Sequence, residues 1–485
     1  MKQITFHKRT KIVCTIGPAS QSVTVLTKMI RKGMNVARLN FSHGSYAHHK
    51  LLIKNIRQAA ATCDLPVALL QDVQGPKVRL GSAGLPKKGR ELKEGEEIVL
   101  IPESKLRKNF VSKENFLPVQ YERLYHYVKK DSHIFIDDAM IQLRVLAVEK
   151  GNIRCRVRVG GMVVAHKGIN VPGADFDLPM ITTKDREDLK FGLEQGVDYV
   201  AVSFVKEAKD VQAMRRLIHR LAGADNKILL IAKIETPQAV RNFSDILRVA
   251  DGVMIARGDL GIEMAAAGVP VVQKDIIKAC VRAAKPVIVA THMLNSMVKE
   301  IMPTRAEVSD VANAVIDHAD AVMLSAESAF GDFPVEAVAV MGETIQTTEV
   351  SPYDDFQIAS QNDQEQSSSP GMMENAFSLA RDMKARAVLI FTDSILSVQM
   401  LSRRRSEQVA IIAASSDARL YRQLALLWGV TPVFHRGSTA PVSLNRLFSI
   451  IRRKKLLKKG DEVVIVSDRP SGSVRSRAAV RIYKI

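Results

Sequence analysis

Eight short runs of β-branched and aliphatic residues, set apart by helical stretches, restrict this chain more than any other feature. They are KIVCTIG (11–17), NVARLNFS (35–42), VALLQDV (67–73), YVAVSFV (199–205), ILLIAKIE (228–235), GVMIARGD (252–259), VIVATHM (287–293) and AVMLSAE (321–327). Between most of them lie amphipathic patterns such as VTVLTKMIRKG, VQAMRRLIHRLAG and VVQKDIIKACVRAAK. Strands that are apolar on both faces need cover on both faces, which a parallel sheet flanked by helices provides. A doubly wound open sheet also meets that need. Eight is the number that closes, so a (β/α)8 barrel is expected.

The alternation fails once, between residues 75 and about 172, where GEEIVLI and HIFIDDAMIQLRVLAVEKGNIRCRVRVGG read as strands and turns. The expected unit is a small all-β domain, a β-barrel lid, bounded by Gly75-Pro76 and GINVPG. Inserted after the third strand, it leaves the barrel on the rim that carries chemistry and is placed to close over it. Residues 351–371 are rich in Ser and Gln and read as a linker. Beyond them AVLIFTDS, QVAIIAASS, VTPVFHR, EVVIVSD and VRIYKI suggest a separate α/β domain. The expected division is barrel 1–74 and 173–350, lid 75–172, and C-terminal domain 351–485.

No apolar run reaches the roughly 18 residues that span a bilayer, and the N-terminus MKQITFHKRTKIVCTIG has no apolar signal core. Four scattered cysteines suggest neither disulfides nor a zinc site, so a reduced, cytoplasmic setting is expected. The net charge of +19 raises nucleic-acid binding, with basic runs at 403–405 and 452–459. Aromatic residues make up only 5%, too few for single-strand stacking platforms. A solvated basic face or a site for anionic metabolites is the better reading.

In a parallel barrel the strand C-termini form the active rim. There stand Arg38, Asn40, Ser42 and His43 on the second run, and Asp72 on the third with Lys77 and Arg79 beyond. The fifth run ends in Lys233 and Glu235, the sixth in Arg257, Gly258 and Asp259, the seventh in Thr291, the eighth in Ser325 and Glu327. Lys233 and Glu235, two apart on a strand, point the same way. The two carboxylates, Glu235 and Asp259 from the neighbouring strand, suit Mg²⁺ or Mn²⁺, which take few protein oxygens and complete their shell from substrate. Lys233 beside such a metal suits a transferring phosphoryl group, and the Arg38 guanidinium suits a phosphate. The backbone amides after Arg257, at a helix start, suit a carboxylate or phosphate.

The ordered motifs TKIVCTIGPAS, ARLNFSHG, DVQGPKVRLG, KGINVPG, AVSFV, AKIE, ARGDLGIE, ATHMLNSM, PTRAEVSDVANAV and DAVMLSAES resemble those of the pyruvate kinases, from residue 8 to about 345. The resemblance implies phosphoryl transfer from phosphoenolpyruvate to ADP, giving pyruvate and ATP, in a Mg²⁺-dependent homotetramer. It makes Arg38 the phosphate clamp and Lys233 the cation that steadies the transferring group. Glu235 and Asp259 become the Mg²⁺ ligands. The Gly258 and Asp259 amides and Thr291 surround the substrate carboxylate, with Thr291 also near the carbon that gains a proton. Arg79, His43, Lys167 and Asn40 become nucleotide contacts. Thr392, Ser394 and Ser397 mark a loop that takes a phosphorylated effector in relatives.

Departures from the family pattern fall at His292 and Asn295 (usually Gln and Glu), at Ala139 (usually Gly, beside Asp137 and Asp138) and at Ile395 (usually Gly). The final turn adds Arg469, Arg475 and Arg477. Many relatives hold K⁺ with groups matching Asn40, Ser42, Asp72 and the Val73 carbonyl. Here DVQGPKVRLG carries Lys77 where a Glu is usual, which resembles the K⁺-independent branch: a fixed ammonium supplies the charge of the ion. Two rivals stand against this reading. One is a Schiff-base barrel aldolase using Lys233, although Glu235 beside it opposes the depressed pKa that an imine-forming lysine needs. The other is a non-catalytic basic scaffold for nucleic acid.

Overall fold

The computed structural model describes residues 8–106, 115–354, 370–436, 441–467 and 479–485. Eight parallel strands close in sequence order: β1 Lys11–Thr15, β2 Met34–Asn40, β3 Ala68–Asp72, β4 Tyr199–Val202, β5 Leu229–Ile234, β6 Gly252–Ala256, β7 Val287–Ala290 and β8 Ala321–Leu324. Alternation along each strand creates two cores. Val13, Val36, Leu70, Tyr199, Ile231, Met254, Ile288 and Met323 point inward and fill the barrel. Their chain neighbours Ile12, Leu69, Val200, Leu230, Val253 and Val289 pack outward under the helices. Both parities are apolar because both sides are dry.

The insertion forms a six-stranded sheet in the order Ile169–Asn170, His133–Ile136, Ile141–Glu149, Asn152–Val159, Glu97–Pro102 and Phe116–Val119. Residues 78–81, directly after the hinge, link its two edges. The Ile169 amide donates to the Val78 carbonyl (2.8 Å) and Leu80 donates to the Lys167 carbonyl (2.9 Å) on one edge; Gly81 donates to the Pro118 carbonyl (2.8 Å) on the other. The sheet thereby wraps a core of its own that includes Val78, Leu80, Leu117 and Ile134. At the hinge Gly75 has φ +68°, and a Cβ there would lie 2.9 Å from the Ser203 Cβ. Only glycine fits that approach.

The C-terminal unit is a five-stranded sheet made of β9 Ala387–Phe391, β10 Ala410–Ser415, β11 Val430–Phe434, β12 Glu462–Ser467 and β13 Ala479–Lys484. Its order is β11-β10-β9-β12-β13, with β13 antiparallel. The stretch joining β10 to β11 forms the floor of the barrel. Leu426 is fully buried among the inward residues of the barrel strands. Around it Arg422 pairs with Asp198 (2.8 Å), the Tyr199 hydroxyl donates to the Gln423 carbonyl (2.6 Å), and Lys11 donates to the Val430 carbonyl (2.8 Å). Leu426→Ala should therefore cost roughly 2–5 kcal/mol, as for other buried leucines. An unchanged denaturation midpoint would show that the barrel core does not include this floor.

The basic run at 403–405 is a brace and not a solvated face. Arg405 is buried and grips Asp320 below β8 with both terminal nitrogens (3.0 and 2.6 Å), while Arg403 and Arg404 reach Glu374. In the second run Leu456 and Leu457 face the core and Lys454 pairs with Asp64. Most of the 351–371 stretch, and Arg469, Arg475 and Arg477, lie outside the described residues. Among the described residues no helix is long and apolar enough to cross a membrane.

Candidate active site

Stepping by two from the inward core residues leads straight to the rim. Val13 gives Thr15, Val36 gives Arg38, Leu70 gives Asp72, Ala201 gives Ser203 and Ile231 gives Lys233. The barrel interior therefore changes from aliphatic to charged within one layer, and the charges have no option but to meet.

They meet as a chain. Arg38 Nη1 donates to Thr15 Oγ1 (2.9 Å) and its Nε to Asp72 Oδ2 (2.7 Å). Lys233 Nζ lies 3.2 Å from Asp72 Oδ1, 3.0 Å from Glu235 Oε1 and 2.8 Å from Ser203 Oγ. Ser203 in turn donates to the Val73 carbonyl (2.7 Å), and Glu235 Oε2 accepts from the Phe204 amide. Burial alone would lower Lys233, but Asp72 and Glu235 outweigh it and hold the ammonium above its ordinary range. Burial likewise pushes Asp72 up, and Lys233 and Arg38 overrule it and hold the carboxyl below the usual range. Glu235 is raised by burial and, against the pull of Lys233, by the Asp259 charge. Negative charge crowded in this way is what a divalent cation relieves. Among the described residues no group of three His, Cys, Asp or Glu is placed to hold a metal. An ion here would take Glu235 and Asp259 and complete its shell from substrate and water, which suits Mg²⁺.

Thr291 and His292, just beyond β7, have φ +72° and +54°. A β-branched residue in that region is strained. Thr291 Oγ1 accepts from the Gly258 amide at 2.7 Å, so the ends of β6 and β7 are tied at the point where the helix Arg257–Glu263 starts. Arg257 donates to the Thr291 carbonyl (2.8 Å) and pairs with Asp310 (2.7 Å). Glu327, buried, accepts from the Leu294 and Ser325 amides (3.1 and 2.7 Å).

The hinge and lid bring a second set of charges. Arg79 donates to the His166 carbonyl (2.9 Å), and Lys167 pairs with Asp137 (2.8 Å). His43 is exposed on its loop, and partial desolvation, followed by the Arg79, Lys167, Arg38 and Lys184 charges, lowers its pKa. Four cations around one imidazole make a strongly electropositive corner. Asn40 turns back onto the Ser42 amide (3.1 Å). Lys77 does not join the Asn40, Ser42, Asp72 and Val73 set through an ion pair. Its ammonium lies 3.3 Å from both Asp259 and Asp138, and 5.8 Å from the centre of the Phe204 ring. Gly168 makes room for it, since a Cβ there would stand 2.5 Å from Lys77 Cε. Asp72, which sequence reasoning set beside Lys77, is instead taken up by Arg38 and Lys233. Ala139, where the family pattern leads one to expect Gly, adopts φ +66°, at the end of three consecutive left-handed residues that include Asp137 and Asp138.

In the C-terminal domain Thr392 is buried, and its hydroxyl donates to the Ser394 carbonyl (2.8 Å), bracing its own loop. Ser394 and Ser397 are half-buried at the start of the helix Ile395–Ser402.

Sequence reasoning passed over Ser203, Thr15 and Asp310. The first two were within reach, because the parity that selects Arg38 and Lys233 selects them as well. Asp310 sits mid-helix (Arg305–Ile316) with no strand-end signal to mark it.

Two family descriptions match the chain: "Pyruvate kinase, barrel domain" over residues 7–338 and "Pyruvate kinase, alpha/beta domain" over residues 371–483. A pyruvate kinase of Agrobacterium vitis is 41% identical over 482 residues, covering 99% of this chain and 97% of the relative. One from Geobacillus stearothermophilus is 40% identical over 99% of this chain and 80% of the relative. The "Pyruvate kinase 2" of a Synechocystis species is 39% identical over 98% and 79%. The barrel, the second α/β domain and these full-length relatives agree, and the chain belongs to the pyruvate kinase family.

Proposed function

We propose that this enzyme transfers the phosphoryl group of phosphoenolpyruvate to ADP, giving pyruvate and ATP. The observation that carries the reading is the Lys233 ammonium, held charged between Asp72 and Glu235 and joined through Asp72 to Arg38. Phosphoryl transfer needs little covalent help and much placement of positive charge. Arg38 and Lys233 take the donor phosphate from two sides. The Gly258 and Asp259 amides and Thr291 receive the carboxylate, and Arg79, His43, Lys167 and Asn40 face the nucleotide phosphates. Thr291 stands where the enolate carbon gains its proton, through ordered water. Mg²⁺ on Glu235 and Asp259 would neutralise charge on the phosphate and carboxylate oxygens, with Mn²⁺ as a substitute.

The reading divides the chain as expected from sequence: barrel 1–74 and 173–350, lid 75–172 and C-terminal domain 351–485. The lid excludes water and so limits hydrolysis of the donor. We also read the enzyme as K⁺-independent, cytoplasmic and homotetrameric. A phosphorylated effector would meet Ser394 and Ser397, with Thr392 shaping the loop. The charged state of Lys233 disfavours the aldolase alternative, since a protonated amine is no nucleophile.

The deciding experiment is pyruvate release from phosphoenolpyruvate with ADP and Mg²⁺. Turnover is expected in K⁺-free buffer and should vanish on chelation, returning with Mg²⁺ or Mn²⁺. Absence of turnover across Mg²⁺, K⁺ and a panel of sugar phosphates would sink the reading, and a borohydride-trapped adduct on Lys233 would replace it.

A further inference from the structure

The left-handed pair Thr291–His292 needs something to hold it, since residues other than glycine adopt such conformations at a cost and keep them only where the surroundings impose them. The far side of the loop is anchored by Glu327 through the Leu294 amide (3.1 Å). The near side has one anchor of a different kind. Arg257 donates to the Thr291 carbonyl (2.8 Å), reaches towards the His292 carbonyl (3.4 Å) and lays its fork on Asp310, with Nη1 2.8 Å from Oδ1 and Nη2 2.7 Å from Oδ2. A bidentate guanidinium–carboxylate pair fixes direction as well as distance. Arg257 is also the first residue of the helix whose next two amides belong to Gly258 and Asp259. One side chain therefore sets the relation between the ends of β6 and β7.

We infer that Arg257 is a positioning residue: oriented by Asp310, it holds the Thr291 loop in its left-handed form and so fixes the Thr291 hydroxyl against the Gly258 amide. This rests on the phosphoryl-transfer reading for its kinetic consequence, though not for its structural one. The rival role, a guanidinium that acts on substrate through its charge, gives different results in one variant. Asp310→Asn keeps the arginine and its charge and removes its partner.

The clamp is tested by combining steady-state kinetics with hydrogen-exchange mass spectrometry. For Asp310→Asn, kcat/KM for phosphoenolpyruvate should fall about tenfold and for Arg257→Lys about 100-fold, the scale of a small misplacement of reacting groups. KM for ADP should stay within about twofold in both, because the nucleotide corner lies elsewhere. Amide exchange over residues 291–294 should quicken about tenfold, with β7 itself unchanged. Adding His292→Gly to Asp310→Asn removes the strain at one of the two residues and should recover part of the loss. Normal kcat/KM in Asp310→Asn, or lost activity without faster exchange, would overturn the clamp. A loss confined to Arg257→Lys would assign the charge role instead. If the unmodified enzyme does not turn over phosphoenolpyruvate, the functional reading fails alone, and the exchange data still decide whether Arg257 and Asp310 hold the loop.

Discussion

Lys233→Met should lower kcat for phosphoryl transfer by about 10³–10⁵-fold, the range known for single cations that meet a transferring phosphoryl group. The geometry leaves no substitute at the same point. Arg38 is directed by Thr15 and Asp72, and Lys77 is held at Asp259 and Asp138. Removal also strips Asp72 and Glu235 of a shared buried partner, so a stability loss of about 3–5 kcal/mol accompanies it. Lys233→Arg separates the two effects. It keeps a charge in the site and so most of the stability, but its longer, planar head cannot sit within reach of Asp72, Glu235 and Ser203 at once, and kcat stays low. Circular dichroism and denaturant titration report the first effect and a coupled assay the second. A folded Lys233→Met enzyme within about tenfold of the parent kcat would remove Lys233 from the chemistry.

The second large effect is expected from Lys77→Glu. In K⁺-free buffer its activity should drop by about 100-fold or more, as when one charge that stabilises the transition state is removed. Addition of KCl should restore much of it, while the parent enzyme responds little. The position of Lys77 refines the reason. The ammonium forms no ion pair or hydrogen bond with Asn40, Ser42, Asp72 or Val73. It leans on the carboxylates of Asp259 and of Asp138 in the insertion, where burial would lower its pKa and the two carboxylates raise it instead. The substitution would set three carboxylates together where one cation had joined two. Strong K⁺ activation of the parent enzyme would refute this account, as would a Lys77→Glu variant that works equally well without K⁺.

Much of the barrel was legible because it follows from one repeated fact, apolar character on both parities of eight short runs. The site was legible for the same reason read in reverse. A polar residue at an inward position, such as Arg38 or Lys233, interrupts that character and can only be at the mouth. Ser203 obeys the same rule and was overlooked because a hydroxyl is a weaker interruption than a charge. What the sequence did not disclose depends on contacts between distant segments. Nothing local tells Arg405 from Arg403, yet one is buried on Asp320 and the other is not. Nothing local aims Lys77 at Asp259, since its direction is set by Gly168 more than ninety residues later. Left-handed backbone at Thr291 and Ala139 runs against the preference of both residue types and is imposed by the packing around them.

The floor supplied by Leu426 has a consequence for how the protein is made. The last barrel strand, β8, ends at Leu324, some hundred residues before the side chain that closes the barrel from below. At synthesis rates of about 5–20 residues per second, the complete ring of strands waits roughly 5–20 s on the ribosome with its lower aliphatic layer uncovered. During that interval the nascent chain presents an apolar mouth to solvent, and the C-terminal domain serves first as the stopper that ends the exposure.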